Sequence, residues 1–202
     1  MPNYEYIISS LPALTLDWKF RDETSFGSYV AWIKSQLGPA DIRTVDVLLS
    51  GYEDSKLDSE FYEAALKDQD RFIREFFTFD LNMRNTKARF LNKVFGRPED
   101  SDTISIETGE FPEEVKLEGI LGKDDLLDRE RSLDALVWKK IDELTTFNYF
   151  DLDTILGFIA RLHIIDRWLS LDEETGRDLF RQLVDDLRGT AKEVRYVAPK
   201  DE

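Results

Sequence analysis

From Leu57 to Phe95 the chain runs 39 residues without a glycine or a proline. Through that stretch apolar side chains return at steps of three and four: Phe61, Ala65, Phe72, Phe76, Phe79, Met83, Phe90 and Val94, with Gln69 and Thr86 in the polar gaps. Such spacing stacks side chains on one face of an α-helix, and neither residue that interrupts helices is present. The pattern predicts one helix of roughly 55–60 Å, unbroken or bent once near Thr78–Asp80. A rod with so many phenylalanines along one side has to lie against other helices, which points to a scaffold or lever more than to a pocket.

The flanking segments complete an all-α reading. Tyr4–Leu14, short and aromatic with Pro12 near its end, predicts an extended segment laid on the bundle. Thr24 or Ser25 caps a helix that reaches Leu37, Gly38-Pro39 ends it, and a second short helix from Pro39 to Ser50 is closed by Gly51. Leu126–Leu144 shows one apolar face. Asp151–Leu169 is apolar nearly all round, as expected of a helix in the middle of a bundle. A last helix, Glu173–Arg188, follows a cap at Ser170 or Asp172. Between the halves, 96–123 carries four glycines, two prolines and eight acidic residues, and its helical period vanishes. It reads as a solvated connection or functional excursion, with alternation at Thr103–Glu107 sufficient for a short strand. The expected architecture is a bundle of long antiparallel helices with a short extended N-terminal segment and an irregular acidic insert. One helical domain spans 1–197, its halves at about 1–95 and 124–189, and 198–202 form a frayed tail.

Composition narrows the function. Net charge is −15, so a phosphate backbone or an anionic membrane is repelled and nucleic acid is not an expected partner, whereas a basic protein is steered in. At 42% hydrophobic residues the chain has ample material for a core, so its charge does not imply disorder. The absence of cysteine excludes disulfides, thiolate metal sites and a cysteine nucleophile. Met1–Tyr6 lacks the basic start of a signal peptide, and the longest apolar run, Ile155–Ala160, stops at Arg161, far short of a membrane span. The expected location is cytoplasmic, with no direct membrane insertion.

No catalytic pattern emerges, and no cofactor or metal is expected. The single histidine, His163, has Asp166 three residues on, an arrangement open to a base and its orienting partner but more simply a partly buried histidine satisfied by its surroundings. A carboxylate-type bundle metal site needs glutamate three residues before histidine, and position 160 is Ala160. Glu60 with Glu63, Asp124 with Asp128, and Asp172 with Glu173 read as solvated faces or first helical turns. No phosphate-binding glycine loop, EF-hand order or nucleophile elbow occurs. One band is unusual for so acidic a chain: Arg84, Lys87, Arg89 and Lys93 with Asn82, Asn85 and Asn92 crowd the second half of the long helix. It reads either as charge balance or as a docking strip for another protein of an assembly, with Asn82, Arg84, Asn85, Arg89 and Lys93 as the candidate partner-binding residues.

Three segments carry a family resemblance. Tyr4–Leu14 (YEYIISSLPAL) resembles the start of an uncharacterised bacterial family, a domain of unknown function encoded among V-type ATPase subunits. Phe77–Asn85 (FTFDLNMRN) looks like the helical Asp/Asn segment of the V/A-type ATPase C-subunit family, whose eukaryotic members are the d-subunits. Phe150–Leu162 (FDLDTILGFIARL) is similar to that family's late buried helix. The resemblance implies a non-catalytic coupling or assembly component that binds no nucleotide and sits between the central stalk and the proteolipid ring. Its partners would then be the V/A-type ATPase central-stalk subunits and that ring, and it would reach the membrane surface only through the complex. The rival expectation is an acidic adaptor or regulatory interaction domain unrelated to the ATPase. An enzyme comes third, needing a deep pocket where His163 meets carboxylates.

Overall fold

A computed structural model of the protein describes residues 3–21 and 23–171. These form eight α-helices and no strand: α1 Tyr4–Ser10, α2 Phe26–Gln36, α3 Pro39–Ser50, α4 Ser59–Ala65, α5 Arg71–Val94, α6 Glu114–Leu121, α7 Leu126–Thr145 and α8 Leu152–Leu169. The expected helix Glu173–Arg188, its candidate cap Asp172 and the tail beyond lie outside the described residues. Ser170 closes α8.

The all-α bundle is as expected, and three elements differ from their expected form. Tyr4–Ser10 is a helix, extended only from Leu11, because Asn3 caps it by accepting from the Tyr6 amide. Burial of Ile7 and a 2.9 Å bond from the Tyr4 hydroxyl to Asp41 fix it on the bundle. The long glycine-free stretch is interrupted at 66–70, not at Thr78–Asp80, through which α5 continues. Side chains make that break. Asp68 accepts from the Asp70 amide at 2.8 Å, Asp70 accepts from the Ile73 amide at 3.0 Å as the N-cap of α5, and Arg74 donates to the carbonyls of Asp68 and Gln69. The third difference is α6, a helix inside the stretch expected to be irregular, while Thr103–Glu107 forms no strand.

Cross-helix pairs set the layout. Arg161 reaches Asp142 at 2.6 Å and Arg167 reaches Asp134, so α7 and α8 form an antiparallel hairpin. Arg71 at the start of α5 donates to the Leu144 carbonyl at the end of α7, and Phe79 lies under Lys140, so α5 and α7 are antiparallel too. α8 packs on α1, α2, α3 and α7, which explains its nearly continuous apolar surface. Gly157 permits the close approach to α7: a Cβ there would lie 2.7 Å from Thr145 Cγ2. The main core joins α1–α5 with α7 and α8 around Tyr62, Phe72, Phe77, Ile141 and Ile155. A second, smaller core joins α5, α6 and α7 through Phe79, Met83, Leu117, Ile120, Leu121, Leu133 and Leu136. The insert therefore contributes a wall of the protein and does not float off it.

Candidate functional site

The basic and amide-rich band on α5 divides over three faces. The amides turn to the insert. Asn85, only 8% exposed, donates to the Ile104 carbonyl and accepts from the Ile104 amide, both at 2.9 Å. Asn82 accepts from the Thr108 hydroxyl at 2.6 Å, and buried Asn92 donates to the carbonyls of Glu99 and Ser101. With no neighbouring strand, the insert's backbone groups need other partners; Asn85 and Asn92 supply some of them from a helix, while Asn82 holds the Thr108 side chain. Asn82 and Asn85, taken from the sequence as contacts for another protein, are thus engaged by the protein's own insert. Ile104, Ile106 and Thr108 point inward while Ser105 and Glu107 face out, so the alternation seen in the sequence reports facing without strand pairing.

Of the cations, Arg89 also turns to the insert, while Arg84 and Lys93 lie elsewhere on the helix. Arg84 pairs with Asp80 at 2.8 Å, and Asp80 also accepts from the Tyr62 hydroxyl at 2.5 Å. Arg89 reaches Asp100 at 3.3 Å. Lys93 is exposed and makes no ion pair among the described residues. Around it the last turns of α5 leave the core: Leu91 is 50% exposed, Val94 63% and Phe95 70%. The helix ends on Gly96 at φ 65°, with the Arg97 amide bonded to the Asn92 carbonyl and the Gly96 amide to that of Lys93. That closure holds the apolar and basic tip in one orientation. Beside it runs an open groove of about 630 Å³ walled by Arg89, Phe90, Lys93 and Val94 on α5 and by Glu114 and Glu118 on α6.

His163 faces a second groove, between α5, α7 and α8. Its ring stacks on Tyr52, centroids 3.7 Å apart and planes 10° from parallel, and meets Phe26 edge-on at 5.6 Å. Burial, and secondarily the nearby Arg167, pushes its pKa down to about 4, so the imidazole is neutral at pH 7. Among the described residues no hydrogen bond joins it to Asp166 or to another carboxylate; the ring is held by stacking. Lys87 lines the same groove, and burial lowers its pKa against the opposing pull of Glu130. Deeper in, Asp134 takes two bonds from Arg167 and one from the Trp168 indole. The other carboxylate pairs sit on helix surfaces or, for Asp124, in the bend just before α7. Glu63 faces Lys67 at 3.7 Å and Asp128 faces Lys123 at 2.8 Å, while Asp172 and Glu173 lie outside the described residues. Among the described residues, no three His, Cys, Asp or Glu side chains are gathered to hold a metal ion, and no helix is long and apolar enough to cross a membrane.

One surface went unread in the sequence. The turn between α7 and α8 presents Phe147, Tyr149 and Phe150 at 87%, 72% and 56% exposure. Its backbone is fastened from below. Asp153 accepts from Arg71 at 2.7 Å and from Asn148 at 2.8 Å, the Thr154 hydroxyl donates to the Asn148 carbonyl, and Asp151 caps α8 through the Thr154 amide. Three aromatic residues in four positions around Asn148, directly before an Asp cap, were the available signal.

Residues 100–191 match the model of a family described as a protein of unknown function (DUF2764). The matched stretch takes in most of the insert, α6 included, then α7 and α8, and continues past the described residues. No curated protein matches the chain, and no solved structure does.

Proposed function

We propose that the protein is a non-catalytic coupling or assembly component of a V/A-type ATPase rotor, C-subunit-like, that links central-stalk subunits to the proteolipid ring by contact alone. The observation that carries the contact role is the tip of α5. Leu91, Val94 and Phe95 stand exposed beside Lys93 on a helix whose other half is locked into the core. Apolar side chains with a flanking cation on a rigid element are what a protein interface uses as anchors, because little conformational freedom is lost when they are covered. The named partners rest on the likeness of Phe77–Asn85 and Phe150–Leu162 to the C-subunit family. α5 extends about 36 Å from the buried Phe72 end to this tip, a suitable strut between two partners.

The test is co-expression of the tagged chain with V/A-type ATPase central-stalk subunits, followed by affinity purification. A stoichiometric complex that is lost in Leu91→Ser with Phe95→Ser, while the variant keeps its helical circular dichroism, supports the reading. Recovery of the chain alone, or a complex indifferent to both substitutions, removes it.

A further inference from the structure

The α7–α8 turn lies at the opposite end of α5 from that tip, since Arg71, the first residue of α5, bonds both the Leu144 carbonyl and Asp153. It joins an exposed aromatic cluster to a close acidic surround. Asp68 and Asp153 both act electrostatically on Asp70 around the start of α5, and Asp151 acts on Arg71 from the cap of α8. Two guanidinium groups, that of Arg71 bonded to Asp153 and that of Arg74 bonded to the Asp68 carbonyl, stand among the carboxylates of Asp68, Asp70, Glu75, Asp151 and Asp153. Phe147, Tyr149 and Phe150 project from this field on a backbone that is already ordered.

We propose that the α7–α8 turn is a docking site for a basic amphipathic segment of a partner protein, whose apolar face covers the aromatic rings while its Lys or Arg side chains meet the surrounding aspartates. The charge selects this occupant. An anionic membrane is repelled, and a second copy of a chain carrying −15 would bring a like-charged face to the contact. Aromatic rings beside carboxylates suit Lys and Arg doubly, since a cation is attracted both to the ring face and to the carboxylate. Preorganisation matters as well: the turn is tied to α5, α7 and α8 before any partner arrives, so binding orders little of this protein. This surface is separate from the α5 tip, and docking on it does not depend on the partner belonging to a rotor.

The probe is a synthetic amphipathic helix of Leu and Lys, titrated into the full chain with backbone amide NMR shifts as the readout, beside a Leu and Glu helix of the same pattern. Binding of the Lys peptide only, with shifts centred on 146–151, is the expected result. Phe147→Ser with Tyr149→Ser, which leaves the net charge untouched, is expected to weaken binding at least tenfold. Equal binding by this variant would mean diffuse charge attraction and would overturn the proposal, as would shifts centred elsewhere. Association into dimers through the turn, or binding of the turn to neutral phosphatidylcholine vesicles in preference to the Lys peptide, would also overturn it. Failure of central-stalk co-purification with intact peptide binding would refute the rotor reading alone.

Discussion

Asn85→Ala isolates the device that fastens the insert to the bundle. The substitution removes both bonds to Ile104 at a position only 8% exposed. Leaving a buried amide and carbonyl without partners costs about 1–3 kcal/mol each. Ile104 is itself half-buried and water recovers part of this, while alanine regains about 0.6 kcal/mol of helix propensity. A net loss of about 2 kcal/mol is expected, concentrated in the insert because α5 keeps its own ladder. Hydrogen exchange reads it directly: the Ile104 amide and its neighbours to Thr108 should exchange roughly thirtyfold faster, with α7 and α8 amides unchanged. Asn85→Asp keeps the acceptor for the Ile104 amide but sets an anion against its carbonyl, so exchange should be at least as fast. Unaltered exchange at 103–108, or an equal rise over every helix, would refute the latch.

Other consequences follow from the same packing. His163 has its folded pKa at about 4, below its ordinary 6.5, so the stability it confers is complete above pH 6.5 and is lost as pH falls toward 4. Between about pH 7.5 and about pH 5 this amounts to roughly 2 kcal/mol; urea titrations of His163→Phe, which keeps a ring against Tyr52, should show a pH slope shallower by that amount. Gly51→Ala would drive a Cβ into the Phe77 ring, which is buried, and should cost on the order of 3 kcal/mol in thermal or urea unfolding. Gly119→Ala, within α6 and with open space around the new methyl, should instead stabilise by about 1 kcal/mol in the same assay.

Where caps and periodicity agree, the chain announces its helices. Ser25 caps α2 with the reciprocal Ser28 bond, Gly38-Pro39 separates α2 from α3, and α7 and α8 keep their expected extents. The misreadings have a common cause: a local signal outweighed by tertiary contact, or a side chain acting where glycine or proline was sought. α1 has β-favouring residues in Tyr4, Tyr6, Ile7 and Ile8, yet the Asn3 cap and burial of Ile7 make it helical. The break before α5 is made by Asp68 and Asp70, in a stretch that holds no residue unable to continue a helix. α6 hid behind Gly119 and Gly122, although Leu117, Ile120 and Leu121 already marked an apolar face. For the candidate band, residue type leaves more open. Residue type placed Asn82, Arg84, Asn85, Arg89 and Lys93 on one helix, but only the fold shows the asparagines turned to Ile104 and Thr108, with Lys93 left outside. The aromatic turn escaped notice because exposure is not a property of sequence: Phe147 and Phe150 would read equally well as core.

We propose above all that this protein acts by being held between other proteins. Size-exclusion chromatography with light scattering, on the chain mixed with V/A-type ATPase central-stalk subunits, tests it most directly. A single peak with the mass of a defined complex is predicted, shifting to separate components when Leu91 and Phe95 are replaced by serine. Separate elution of the unmodified chain at every mixing ratio would contradict it.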